Sequence, residues 1–166
     1  LYWAARLDAR AVTLNEIIEA FATSAESQAL YGTINSSNIS NVVNSIYNAL
    51  FGRSAEAAGL AYYVNGFNSG QFTAATIMLN VLNGAQNEDL LAVNNKLTAA
   101  NLFTRTIDPE LDGRDFQATY SGDADAQKAR AFLSAITSNP ATIPTQADGT
   151  AYIKTNIADS GDPILE

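Results

Sequence analysis

Apolar residues recur three and four positions apart along most of the chain, the spacing of one buried helical face. Ile17, Ile18, Phe21 and Ala22 form one such stripe. Thr13 and Glu16 stand before it as a capping box, with Thr13 as N-cap and Glu16 at the third helical position. Ser24 starts a short helix that ends near Tyr31-Gly32, and Asn35 to Asn38 is a turn. Ile39, Val42, Val43, Ile46, Tyr47 and Leu50 define the next helix, stopped at Gly52. Ser54 caps a helix carrying Leu60, Tyr63, Val64 and Phe67, with Glu56 in its first turn. Thr73 caps another, with Ile77, Met78, Val81 and Leu82 inside. The longest pattern runs from Asn87 to Ile107, with Leu90, Leu91, Val93, Leu97, Ala100 and Phe103 apolar. Residues 108–125 are rich in Asp and Gly and read as a loop. A helix over 126–137 places Ala129, Phe132, Leu133 and Ile136 on one face. Pro140 and Pro144 then interrupt the chain, a last helix spans 148–158, and 160–163 read as a linker.

The first half of this pattern occurs twice. At an offset of 60 residues and without gaps, Tyr2-Trp3 falls on Tyr62-Tyr63, Leu7 on Phe67 and Val12 on Phe72. Thr13 falls on Thr73, Ile17 on Ile77, Ile18 on Met78, Phe21 on Val81 and Ala25 on Ala85. An aromatic pair, a Thr cap and an apolar stripe in one register point to one supersecondary unit used twice. The fold expected is all-α, a helical bundle of about seven to nine helices built from roughly 60-residue repeat-like units. Residues 1–32 are expected to be the C-terminal part of a first unit and 33–108 a complete second one. Residues 109–166 form an acidic loop with a C-terminal helical extension.

Composition narrows the functional classes. With 47% apolar and 16% charged residues the chain is globular in type. Its net charge of −8 repels phosphate backbones and anionic lipid, so no nucleic acid partner is expected. No run of about 18 apolar residues exists, so no membrane insertion is expected. The absence of Cys and His removes disulfides, zinc sites of the usual kind, and the Ser-His and Cys-His nucleophile systems. The start at Leu1-Tyr2-Trp3 reads as a point inside a longer protein.

The run Ile46-Tyr47-Asn48-Ala49-Leu50-Phe51-Gly52-Arg53, then Glu56, then Gly59-Leu60-Ala61-Tyr62-Tyr63, resembles a bacterial domain-of-unknown-function repeat. Its pattern reads Tyr-x-x-Leu-Phe-Gly-Arg, an acidic residue, then Gly-Leu-x-Tyr-Trp. The segment 20–27 with Tyr31-Gly32 resembles the end of the same repeat, and 97–108 the helix that follows it, so the likeness spans about residues 1–108. Glu56 stands where Asp is common and Tyr63 where Trp is common. Such repeats occur in S-layer proteins, calcium-binding RTX-type proteins exported by type I secretion, and adhesins. The resemblance implies an all-α fold, a secreted, cell-surface location and no catalytic residue. It also resembles, distantly, the helical linker domains of phycobilisomes, which organise other proteins without chemistry.

Candidate ligand-binding residues are Arg53, whose guanidinium can grip a carboxylate or sugar oxygen, and the aromatic residues Tyr62, Tyr63 and Trp3, which can stack on sugars. Tyr31 and Tyr47 share that capacity. Each has a structural alternative: an Arg53–Glu56 ion pair, and aromatic side chains in the core. Adjacent Tyr62 and Tyr63 cannot both point inward from one helix. Gly59, inside a helix, is expected to serve a close helix–helix approach. Asp108, Glu110, Asp112 and Asp115 are the candidate metal ligands, for Ca²⁺. Residues 108–113 match the first half of an EF-hand loop, with Gly sixth. Asp115 at position eight and Thr119 at position twelve break the pattern, leaving a looser site that could draw in Asp123 or Asp125. No carboxylate pair sits in a glycosidase-like context.

The function expected is therefore non-enzymatic: a structural and binding module of a secreted bacterial surface protein, of S-layer or RTX type. It would anchor to cell-surface polysaccharide or to other copies of the surface protein. The alternatives are an accessory domain of a secreted hydrolase and a passive spacer.

Overall fold

The computed structural model describes residues 2–107 and 118–157, apart from the side chains of Tyr2, Trp3, Ala4 and Glu26. Among these residues the elements are helical: α1 (Tyr2–Asp8), α2 (Leu14–Ala22), α3 (Ala25–Tyr31), α4 (Ile39–Phe51), α5 (Ala57–Asn68), α6 (Ala74–Asn83), α7 (Asn87–Ile107), α8 (Gly122–Ser134), a 3₁₀ turn (Pro140–Thr142) and α9 (Gln146–Asn156). The all-α expectation holds. The chain divides into two compact units, residues 1–49 with 53–85, and residues 50–52 with 86–166.

In the first unit the repeat is visible as two helices with the same start. The Thr13 hydroxyl accepts the Glu16 N–H at 3.2 Å, and the Glu16 carboxylate accepts the Thr13 N–H at 2.7 Å. Sixty residues on, Thr73 and Thr76 make the same reciprocal pair at 3.2 and 2.8 Å. The two helices also touch: the Thr73 hydroxyl donates to Glu19 of α2 at 2.6 Å. Ile17, Ile18, Ile77 and Val81 are buried, as the stripe predicts. Phe21, Met78 and Leu82, placed on the same stripe by sequence, remain substantially exposed. The buried arc of each helix is narrower than its apolar arc. Ser24 caps α3 by accepting the Ser27 N–H at 3.1 Å, and Gly32 ends it with φ +65°. Asn35 and Asn38 knit the following turn, the Asn38 carboxamide accepting Asn35 N–H and donating to the carbonyls of Tyr31 and Thr33. α4 then buries Ile39, Val42, Val43 and Ile46 at three-four spacing.

The second unit packs α7, α8 and α9 around Ala99, Phe103, Ala118, Phe132, Ile136, Ile153 and Ile157. α7 has the bounds the sequence predicts, but not the expected apolar face inside. Its buried residues are Ala92, Asn95, Ala99, Phe103 and Thr106, while Leu90, Leu91 and Leu97 are exposed. Small side chains let α9 lie close against α7. A Cβ on Gly149 would stand 3.1 Å from Leu102 Cδ2. Polar groups at the seam are satisfied, as burial requires. Asn95 Nδ2 donates to the carbonyls of Thr137 and Ser138 at 2.9 and 3.1 Å, and Gln146 Nε2 donates to the Thr106 hydroxyl at 2.9 Å. Lys96 Nζ donates to the Leu133 carbonyl at 2.6 Å and Lys128 Nζ to the Asn156 carbonyl, so each lysine serves the C-terminal end of a neighbouring helix. Burial lowers the Lys96 pKa from its ordinary value. Helix α8 begins at Gly122 rather than at 126, and α9 at Gln146 rather than at 148, behind a Thr145–Asp148 capping box.

Two caps give a pH prediction. Hydrogen bonds from the Thr13 backbone, then its side chain, hold Glu16 below the usual carboxylate range. Those from the Thr145 side chain, then its backbone, do the same for Asp148. A carboxylate with a lowered folded pKa stabilises the fold above its unfolded pKa and loses that contribution as pH falls through the folded value. Wild type should therefore melt above a Glu16→Gln, Asp148→Asn variant at pH 7, and the gap should close as pH falls through the lowered folded pKa values of the two carboxyls. A gap in Tm unchanged by acid would show that the cap charges contribute nothing.

Candidate functional site: an aromatic strip on the first unit

Gly52, at φ +74°, ends α4. The connection to α5 is held by the Asn44 carboxamide oxygen, which accepts the Ala55 N–H at 3.0 Å. Arg53 sits in that connection. Its guanidinium carbon lies 5.5 Å from the centre of the Tyr47 ring, and Nη1 donates to the Ser54 carbonyl at 3.2 Å. Tyr47 and Arg53 are both half-buried, and a guanidinium over such a ring is worth about 1 kcal/mol. Glu56, expected in the first turn of α5, is instead its N-cap residue, and its side chain makes no capping hydrogen bond.

Gly59, expected to serve a close helix–helix approach, instead meets a side chain. A Cβ there would lie 3.3 Å from the Tyr47 hydroxyl oxygen, so glycine lets that hydroxyl close on the α5 backbone. One turn further along α5, Tyr62 and Tyr63 pack edge-on, ring centres 5.2 Å apart and planes at 71°. Tyr62 is 57% exposed and Tyr63 is half-buried, so the neighbouring pair splits between solvent and protein. Burial raises the Tyr63 pKa, with smaller contributions from Tyr47 and Tyr62. Phe72 completes the group at 5.4 Å from Tyr62 and 5.9 Å from Tyr63. The edge of its ring lies against Gly66, where a Cβ would come within 2.2 Å of Cδ2.

Of the four ligand candidates, Arg53 thus sits over Tyr47, while Tyr62 and Tyr63 cluster with Phe72 further along α5. The side chain of Trp3, the fourth, lies outside the described residues. Sequence reasoning missed Phe72 and Gly66. The available signal was twofold: Phe72 keeps the repeat by falling on apolar Val12, while Gly66 breaks it by replacing Arg6. The strip offers ring faces, hydroxyls and one guanidinium, groups suited to holding a ligand. The calcium candidates Asp108, Glu110, Asp112 and Asp115 lie outside the described residues. Among the described residues no group of three carboxylates converges on a metal position. Asp125 is occupied locally, accepting the Ser121 N–H at 2.9 Å and standing 3.8 Å from Lys128 Nζ.

The first unit also carries an apolar groove of about 190 Å³ between α2, α3, α4 and α6, where Phe21, Leu30, Ile34 and Met78 reach the surface.

The fold defines an all-α module, and its first unit carries the aromatic cluster. Residues 20–91 match a family model described as Domain of unknown function (DUF4214), a stretch that contains the whole strip. No curated protein and no solved structure matches the chain.

Proposed function

We propose that the chain is a non-catalytic binding module of a secreted bacterial surface protein, of S-layer or RTX type. It holds neutral cell-surface polysaccharide on the strip formed by Arg53, Tyr47, Tyr62, Tyr63 and Phe72. The observation that supports this reading is the Arg53 guanidinium over Tyr47, whose hydroxyl reaches α5 at Gly59, one turn before the Tyr62–Tyr63–Phe72 cluster. Exposed ring faces stack on the apolar faces of sugars, and a guanidinium donates to their oxygens. The net charge of −8 favours neutral glycans over polyanionic ones.

The test is binding of fluorescently labelled chain to bacterial cells with and without their surface polysaccharide, and to isolated neutral polysaccharides, in calcium-containing buffer. Wild type should bind the polysaccharide-bearing cells and the isolated glycan. Tyr62→Ala, exposed enough to leave the fold intact, should weaken that binding about tenfold. Equal binding to stripped cells, or wild-type affinity in the variant, would overturn the assignment of the strip. No binding to any of these would leave a spacer or an accessory domain of a secreted hydrolase.

A further inference from the structure

Two asparagines stand directly before glycine, in Asn65-Gly66 and Asn83-Gly84. In such a pair the glycine nitrogen can attack the asparagine side chain, because no Cβ shields it and its backbone turns freely. The fold holds the two pairs very differently. Gly66 is buried and the Phe72 ring lies against it. Its carbonyl accepts the Gln71 and Phe72 N–H groups and the Ser69 hydroxyl, so this end of α5 is tied down. Gly84 is exposed, and apart from its chain neighbours no side chain stands within 4 Å of where its Cβ would be. Its N–H donates to the Asn80 carbonyl at 2.9 Å, in the last turn of α6, where helices fray. Asn83 is also exposed, and its carboxamide takes part in no hydrogen bond among the described residues. At the 60-residue offset the pair falls on Thr23-Ser24, which ends α2 with no carboxamide and no glycine. Ending the helix therefore does not require Asn-Gly.

We propose that Asn83 is a site of spontaneous imide formation, through which the folded chain acquires isoaspartate and aspartate at the end of α6. The Gly84 nitrogen, once its proton is lost, bonds to the side-chain carbonyl carbon of Asn83. The bond from that carbon to Nδ2 breaks, and ammonia leaves with the proton. Water then adds to one of the two imide carbonyls and opens the ring. Opening at the side-chain carbonyl leaves aspartate. Opening at the main-chain carbonyl leaves isoaspartate, with the Cβ of residue 83 carried into the main chain. Only water is consumed. Either product places a negative charge at the C-terminal end of α6, where the helix dipole is already negative. Isoaspartate also lengthens the main chain just before residues 85 and 86, where the chain passes from the first unit to the second. Both changes loosen the last turn of α6, and the modified fraction grows with the age of the molecule. The site stands whether or not the aromatic strip binds sugar.

The test is to incubate the folded chain in mildly alkaline buffer, then digest it and follow residues 83 and 65 by mass spectrometry that separates aspartate from isoaspartate. Asn83 should convert severalfold faster than Asn65, with isoaspartate among its products and a rate that rises with pH. An acidic band should grow in parallel on isoelectric focusing. In urea, where neither glycine is held, the two asparagines should convert at similar rates, which assigns the difference to the fold. Gly84→Ala should slow conversion at Asn83. An Asn83→Thr, Gly84→Ser variant, which copies the end of α2, should abolish the growing acidic band with an unchanged helical circular dichroism spectrum. Equal rates at the two sites in the folded chain would overturn the proposal. So would an Asn83 that stays intact when folded while both convert in urea, or conversion to aspartate alone, which is direct hydrolysis without an imide.

Discussion

Replacing Ile153 with alanine should destabilise the second unit by about 3–4 kcal/mol, the upper part of the range for buried Ile→Ala changes. Ile153 is fully buried in α9, among Ala99, Phe103, Phe132, Ile136 and Ile157. Collapse around the missing atoms is opposed from two directions. Gly149 already brings the α9 backbone against Leu102, and the Gln146–Thr106 hydrogen bond fixes the helices along their length. The vacated volume stays largely empty, so the cavity cost adds to the lost transfer energy. A unit of this size is stable by only about 4–12 kcal/mol, so the change consumes a large share of it. Hydrogen exchange should show amides of α7, α8 and α9 losing protection together. Leu97→Ala, on the exposed side of α7, should stay within about 0.5 kcal/mol of wild type. Comparable losses at the two sites would mean that the core has been assigned to the wrong face.

That contrast marks where the sequence stops being legible. The extent of α7 follows from its periodicity and neighbours, but its inward face does not. Leucine suggests burial more strongly than alanine, yet Ala92 and Ala99 are buried while Leu90, Leu91 and Leu97 are not. Gly149 sits in α9, remote from α7 in sequence, so the local pattern of α7 carries no trace of it. The caps were easier. Thr13 with Glu16 and Thr73 with Thr76 act within four residues, and local sequence suffices for them. The Thr145–Asp148 box escaped because Asp takes the place of the usual Glu or Gln at its third position. The start of α5 shifted to Glu56 because Ser54 looked like the better cap.

The candidate site divides in the same way. Arg53, Tyr62 and Tyr63 could be singled out by residue type and by resemblance, and Gly59 by its cost inside a helix. Their placement against Tyr47 and Phe72 depends on how α4, α5 and the 69–72 connection fold together, which no local pattern encodes. Phe72 looks like an ordinary apolar residue before a cap. Its position is set by Gly66, whose carbonyl accepts the N–H groups of both Gln71 and Phe72 at 2.8 and 3.1 Å.

Gly66→Ala should therefore destabilise the first unit by about 2 kcal/mol, although alanine is the better helix former. The new methyl would overlap the Phe72 ring, with 2.2 Å to Cδ2 and 2.5 Å to Cε2, so the ring must leave its seat. Leaving costs its contacts with Tyr62 and Tyr63, each worth about 0.5–1.5 kcal/mol. These losses outweigh the gain of about 1 kcal/mol from removing a glycine inside α5. In a Phe72→Ala background the three atoms nearest the new methyl are gone, and the same substitution should stabilise the unit by about 1 kcal/mol. The sign reversal, read by urea unfolding of the four proteins of the cycle, isolates the ring–glycine contact from helix propensity. Equal effects in both backgrounds would show that Phe72 yields freely. The strip would then lack the fixed ring that braces Tyr62, and a rigid stacking surface would lose its structural basis.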